Sequence, residues 1–99
     1  MIDIRDYEVM YILDTALPEE ETGTAQERFA ELVRTHGGEV KDVVRWDTRR
    51  LAYEIKGKRE GNYVIMTLTA GQEAMSELHR SLRLSEQVLR HMIVRTDGA

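Results

Sequence analysis

The feature that most constrains this sequence is the order of its periodicities. Two stretches with helical spacing sit among four runs of β-branched and aromatic residues, and the middle two runs are joined by nothing longer than a turn. Residues 4–14 place Tyr7, Val9, Tyr11 and Leu13 on one face, the signature of a strand. Asp14, Thr15 and Pro18 break that run, and Pro18 suits the first turn of a helix. Glu19, Glu20 and Glu21 then favour the positive end of a helix dipole, while Ala25, Phe29, Leu32 and Val33 recur at helical spacing. Arg34 and His36 fall in the last turn and Gly37-Gly38 supplies a left-handed stop, so a helix is predicted over about 18–36. Gly23 is its weak point, costing up to about 1 kcal/mol relative to Ala.

Val40, Val43, Val44 and Trp46 open the second strand, which the alternation of Leu51, Tyr53 and Ile55 continues. The two sets differ in phase, so either a bulge near Asp47–Arg49 shifts the strand or Trp46 faces away from the helices. Gly57–Gly61 reads as the turn, Tyr63–Thr69 as the third strand, residues 72–83 as a helix carrying Met75, Leu78 and Leu82, and Val88–Arg95 as the fourth strand. Residues 96–99 form a short polar tail to a single domain spanning 1–99.

The order βαββαβ implies an α+β, ferredoxin-like fold: a four-stranded antiparallel sheet with both helices packed on one face. Val9, Tyr11, Leu13, Val40, Leu51, Tyr53, Ile55, Val64, Met66, Leu68 and Ile93 are assigned to the helix side. Met10, Ile12, Trp46, Ala52, Tyr63, Ile65, Met92 and Val94 remain for the other side, which is too apolar for a face wetted by solvent. A protein partner is expected to cover part of it.

Composition excludes more than it selects. With 41% hydrophobic and 32% charged residues the chain is that of an ordinary globular domain, and no apolar run approaches the roughly 18 residues of a membrane span. Asp3, Arg5, Asp6 and Glu8 interrupt the first apolar residues, so no secretory signal is read and a cytosolic address is expected. The absence of cysteine removes disulfides, thiolate metal sites and thiol nucleophiles. The net charge of −4 hides an asymmetry: residues 1–31 hold nine acids and two bases, and residues 32–99 hold nine acids and twelve bases. An acidic protein can therefore present a locally cationic face.

No catalytic, metal or cofactor constellation emerges. His36, His79 and His91 are scattered, and His36 is better read as a partner of a helix C-terminus. The three consecutive glutamates are a solvated first turn. An acylphosphatase would share the topology, but Asp14 to Glu20 would repel a phosphate. An RNA-recognition motif would stack bases on aromatics of its central strands, whereas strand three has one aromatic and Tyr7 and Tyr11 point to the helices. Contact with a phosphate backbone fits better: Arg45, Arg49, Arg50, Lys56, Lys58 and Arg59 lie within fifteen residues, with Arg90 and Arg95 on strand four. The bland alternative is a cationic hairpin that keeps a sheet edge soluble.

A resemblance to a known family separates these readings. Tyr7-Glu8-Val9-Met10-Tyr11-Ile12-Leu13, His36-Gly37-Gly38 and Trp46-Asp47-Thr48-Arg49-Arg50-Leu51-Ala52-Tyr53-Glu54-Ile55 carry it, continued by Glu60-Gly61-Asn62-Tyr63, Leu82-Arg83-Leu84 and Val88–Arg95. Over essentially its whole length the sequence resembles the bacterial small-subunit ribosomal protein six family. The resemblance implies a structural protein of the bacterial or organellar small subunit that binds the central domain of its ribosomal RNA as a heterodimer with ribosomal protein eighteen. The eight cations from Arg45 to Arg95 would face RNA or its boundary, and Trp46, Tyr63, Ile65 and Met92 would serve packing or the protein partner. No membrane, small-molecule substrate or cofactor is implied. Asp47 stands where the family usually has glycine and Glu54 where it often has proline, each adding a carboxylate to the basic strand. The rival expectation is a ferredoxin-like interaction or small-molecule-sensing module that self-associates through its open face.

Overall fold

The computed structural model describes residues 4–97, with the side chain of Asp47 outside the described part, as are residues 98 and 99 of the polar tail. Six elements follow in the expected order: β1 (Arg5–Asp14), α1 (Glu19–Thr35), β2 (Glu39–Ile55), β3 (Lys58–Ala70), α2 (Gln72–Leu84) and β4 (Val88–Arg95). The strands form one antiparallel sheet in the order β2-β3-β1-β4, the ferredoxin-like arrangement.

Both helices cover one side of that sheet. Val9, Tyr11 and Leu13 of β1 and Val64, Met66 and Leu68 of β3 meet Ala25, Phe29, Ala30 and Val33 of α1 and Ala74, Met75, Leu78 and Leu82 of α2. The Tyr11 and Phe29 rings pack edge to face at 5.1 Å at the centre of this core. α1 starts beyond Pro18 with three acids in its first turn and ends where Gly37 takes φ +85°. The Gly38 amide donates to the Val33 carbonyl at 2.8 Å, so the helix stop satisfies one of its own terminal carbonyls. His36 sits at this end, where its Nδ1 lies 3.2 Å from Glu73 Oε2 and ties α1 to the start of α2.

Two expectations are corrected here. The β2–β3 turn is Lys56-Gly57 rather than Gly57–Gly61. Both residues are left-handed, with φ 51° and 78°, which gives a two-residue connection whose twist matches that of the strands. β3 therefore begins at Lys58 and pairs with β2 almost from the turn.

The second correction concerns Leu51, Tyr53 and Ile55, which lie on the open side and not against the helices. Arg45 pairs with Val64, but Thr48 pairs with Asn62, so one extra residue on β2 shifts the phase between them. The proposed bulge is therefore present, and Trp46 also faces away from the helices. Together they bring Val44, Trp46, Leu51 and Ile55 to one face. An irregularity in β4 at Ile12/Leu13 adds Leu89, and Ile12, Leu51 and Leu89 form a small second core there, all less than 10% exposed. An apolar floor on that side is the reason the hairpin buries its leucine there.

Candidate nucleic-acid interface

The open side of the sheet is apolar through its centre and aromatic and cationic toward β2. Met10 and Ile12 of β1, Tyr63 and Ile65 of β3 and Met92 of β4 share this side, as expected. Val44, Trp46, Tyr53, Met92 and Val94 leave between 42% and 57% of their surfaces exposed. Solitary exposed apolar residues need no explanation, but a contiguous set across the strands of one face does. A shallow cavity of about 240 Å³ opens in it, floored by Ile12, Leu51 and Met10 and walled by Tyr53 and Tyr63.

The eight cations named from the sequence are not equivalent once their partners are known. Arg45 points to the helix side, where its guanidinium pairs with Glu19 of the first turn of α1. Lys58 lies 3.7 Å from Asp14, Arg59 3.6 Å from Glu54 and Arg95 3.0 Å from Asp97. Glu54 thus meets a cation of the same hairpin, an exposed pair that contributes little and breaks readily. Lys56 donates to the Val88 carbonyl at 3.3 Å, which fastens the hairpin tip to the start of β4.

Three arginines are deployed differently. Arg49 lies with Cζ 5.2 Å from the centre of the Trp46 ring, and Trp46 in turn runs nearly parallel to Tyr63, with ring centroids 6.5 Å apart. Arg90 repeats the motif on β4, with Cζ 5.7 Å from the Tyr53 ring and a guanidinium hydrogen bond to the Tyr53 hydroxyl. Arg50 is exposed on the edge strand opposite Glu60. Neither Arg49 nor Arg50 makes an ion pair among the described residues.

Sequence reasoning therefore assembled much of the open side but missed Tyr53, Val44 and the cavity. In the sequence Tyr53 alternates with Leu51 and Ile55 and is placed with them against the helices. Only the register of β4 against β1 brings Arg90 to it.

Elsewhere, three groups among the described residues carry shifted ionisations: Asp6, whose carboxyl is held below its ordinary value first by the hydrogen bond from the Thr69 hydroxyl and then, against some burial, by Lys41, and Tyr11 and His91. The Tyr11 phenol, fully buried with no hydrogen-bond partner for its hydroxyl among the described residues, is pushed well above its ordinary value near 10 by burial, which outweighs the opposing field of Arg28. His91 packs edge to face on His79 at 5.1 Å. Its imidazole is held below 6.5 by burial first and then by the charges of His79 and Arg83. Among the described residues no group of three acids or histidines converges in the manner of a metal site.

Residues 6–95 match the family described as Ribosomal protein S6. The chain is 49% identical over 94 residues to the small ribosomal subunit protein bS6 of Carboxydothermus hydrogenoformans, covering 95% of this chain and 98% of that one. It is 47% identical over 94 residues to the bS6 protein of Desulforudis audaxviator, covering 95% of this chain and all of its relative. Among solved structures, the 30S ribosomal protein S6 of Thermotoga maritima superposes with a TM-score of 0.89 at 29% identity, over 95% of this chain and 89% of that one.

Proposed function

The chain belongs to the ribosomal protein S6 family, a structural and non-catalytic constituent of the bacterial small ribosomal subunit in the cytoplasm, and from that premise we propose how it is held there. It binds the central domain of the small-subunit ribosomal RNA as a heterodimer with ribosomal protein eighteen. The observation that carries this reading is the juxtaposition of an uncovered apolar surface with Arg49 on the same face and Arg50 beside it on the edge strand, neither arginine having an acidic partner among the described residues.

The apolar centre of the sheet, with Tyr63, Ile65 and Met92, is the part suited to a protein. Burying such a surface contributes roughly 25 cal/mol per Å² of apolar area, a drive that salt does not screen. Arg49 and Arg50 meet phosphates at the sheet edge, with Lys56, Lys58 and Arg59 along the hairpin and Arg90 and Arg95 at the boundary between RNA and protein. Arg45 is satisfied by Glu19 and contributes less. A chain with net charge −4 gains little from long-range attraction to RNA, so its affinity depends on the partner bound first.

The test is a reconstitution. The purified chain, ribosomal protein eighteen and a central-domain RNA fragment are combined pairwise and together, then sedimented. The expected result is a protein heterodimer and a ternary complex, with weak or no binding of the chain to RNA alone. Stable homodimers that ignore both partners would overturn the proposal in favour of a self-associating module.

A further inference from the structure

We propose that Arg49, Trp46 and Tyr63 form a stacking site for an unpaired nucleobase. The chain would then hold its RNA by ring contact as well as by charge, an inference that rests on the RNA-binding reading above. The Arg49 Cζ lies over the indole and the indole runs 19° from parallel to the phenol, so two rings share one orientation with a cation over the outer one. Arg49 and Trp46 at the outer end are exposed, while Tyr63 at the inner end is half-buried. The column is thus rooted in the sheet and open at its tip. Unpaired bases stack on aromatic rings and on arginine planes alike, and each such contact is worth about 5- to 150-fold in affinity.

Three observations favour a base over a protein side chain as the occupant. β2 is an edge strand, so a nucleotide can approach from its outer side without displacing another strand. Arg50 follows Arg49 directly. Neighbouring strand residues point to opposite faces, so a nucleotide at the edge meets a stacking plane on one side and an exposed cation for its phosphate on the other. The apolar floor that would attract a protein anchor is centred on Ile12, Leu51 and Leu89; Tyr63 borders it, but Arg49 and Trp46 do not line its cavity. The stack is on β2 and the outer part of β3, which is why a search for aromatics at the central positions of an RNA-recognition motif passes over it.

Trp46 is the only tryptophan, so its emission reports this site alone. The chain is titrated first with ribosomal protein eighteen and then with the central-domain RNA fragment, and RNA binding is followed in parallel by sedimentation. Stacking predicts strong quenching when RNA is added. It also predicts that Trp46→Leu weakens RNA binding at least about fivefold with an unchanged salt slope, while Trp46→Phe keeps most of the affinity. Emission that changes fully with the protein alone and not with RNA would overturn the inference and assign Trp46 to the protein interface. So would RNA binding by Trp46→Leu equal to wild type. If the wild-type chain sediments with RNA while Trp46 stays unquenched, stacking falls and the RNA-binding reading stands; if it does not sediment with RNA, both fall.

Discussion

Gly61→Ala adds a single methyl group at the joint between the core and the candidate site, and its cost can be worked from the packing. Gly61 pairs with Asp14 of β1 on one side and Arg49 of β2 on the other. A Cβ there would stand 2.2 Å from Ile12 Cγ2 and 3.5 Å from Leu51 Cδ2, against the roughly 3.5–4.0 Å at which carbons rest. Ile12 cannot simply swing away, because it is 3% exposed and β-branched, and its Cγ2 moves only with χ1. Either Ile12 leaves its rotamer or the hairpin lifts from the sheet. Overpacking of this kind costs about 1–3 kcal/mol. For a domain of this size each kcal/mol lowers Tm by roughly 4–8 °C, so a fall of about 4–24 °C is expected. Gly23→Ala is the control: nothing lies within 4 Å of its new methyl, and in a helix interior the change should add about 0.5–1 kcal/mol. Thermal and urea unfolding followed by circular dichroism measure both. Because Arg49 faces Gly61 across the strand pair, Gly61→Ala should also weaken RNA binding at temperatures where the variant is folded. A Tm for Gly61→Ala within about 2 °C of wild type would refute the close packing of Ile12 against the hairpin.

The remaining predictions concern charge. Replacing Arg49 and Arg50 together by Ala should lower the slope of log affinity for RNA against log salt by about 1.4–1.8, at 0.7–0.9 for each phosphate contact. Arg45→Ala, which only frees Glu19, should leave that slope unchanged, and a reversed order in filter-binding titrations would dismiss the assignment. Tyr11→Phe removes a buried hydroxyl that has no partner among the described residues, so its stability should equal or exceed that of wild type by up to about 2 kcal/mol. Above pH 10 the unfolded phenol loses its proton while the folded one keeps it. The unfolded state then binds fewer protons, and wild-type stability must fall as pH rises. Urea unfolding between about pH 8 and 11 should show that loss in wild type and a smaller one in Tyr11→Phe.

Much of the fold was legible because the two periodicities leave different marks. Tyr7, Val9, Tyr11 and Leu13 alternate, Met75, Leu78 and Leu82 recur at helical spacing, and Pro18 and Gly37 punctuate the first helix where the structure starts and stops it. The apolar open face was legible too, since Met10, Ile12, Tyr63, Ile65 and Met92 are what alternation leaves once the core is assigned. The cations were countable, but their availability was not. Arg45 is answered by Glu19 from 26 residues away and Lys58 by Asp14 from the far end of β1, so only the tertiary arrangement separates them from Arg49 and Arg50.

By itself, then, the sequence determined the order of elements, the helix-side core and the family, because spacing, turn residues and local motifs are properties of neighbours along the chain. The tertiary structure decided the face of Leu51, Tyr53 and Ile55, the exact turn at Lys56-Gly57 and the joining of Arg49, Trp46 and Tyr63. The physical reason is register. The extra residue between Arg45 and Thr48 reverses the side chains that follow it up to Leu51, and which register is kept depends on whether Ile12 and Leu89, from two other strands, offer an apolar floor to receive Leu51.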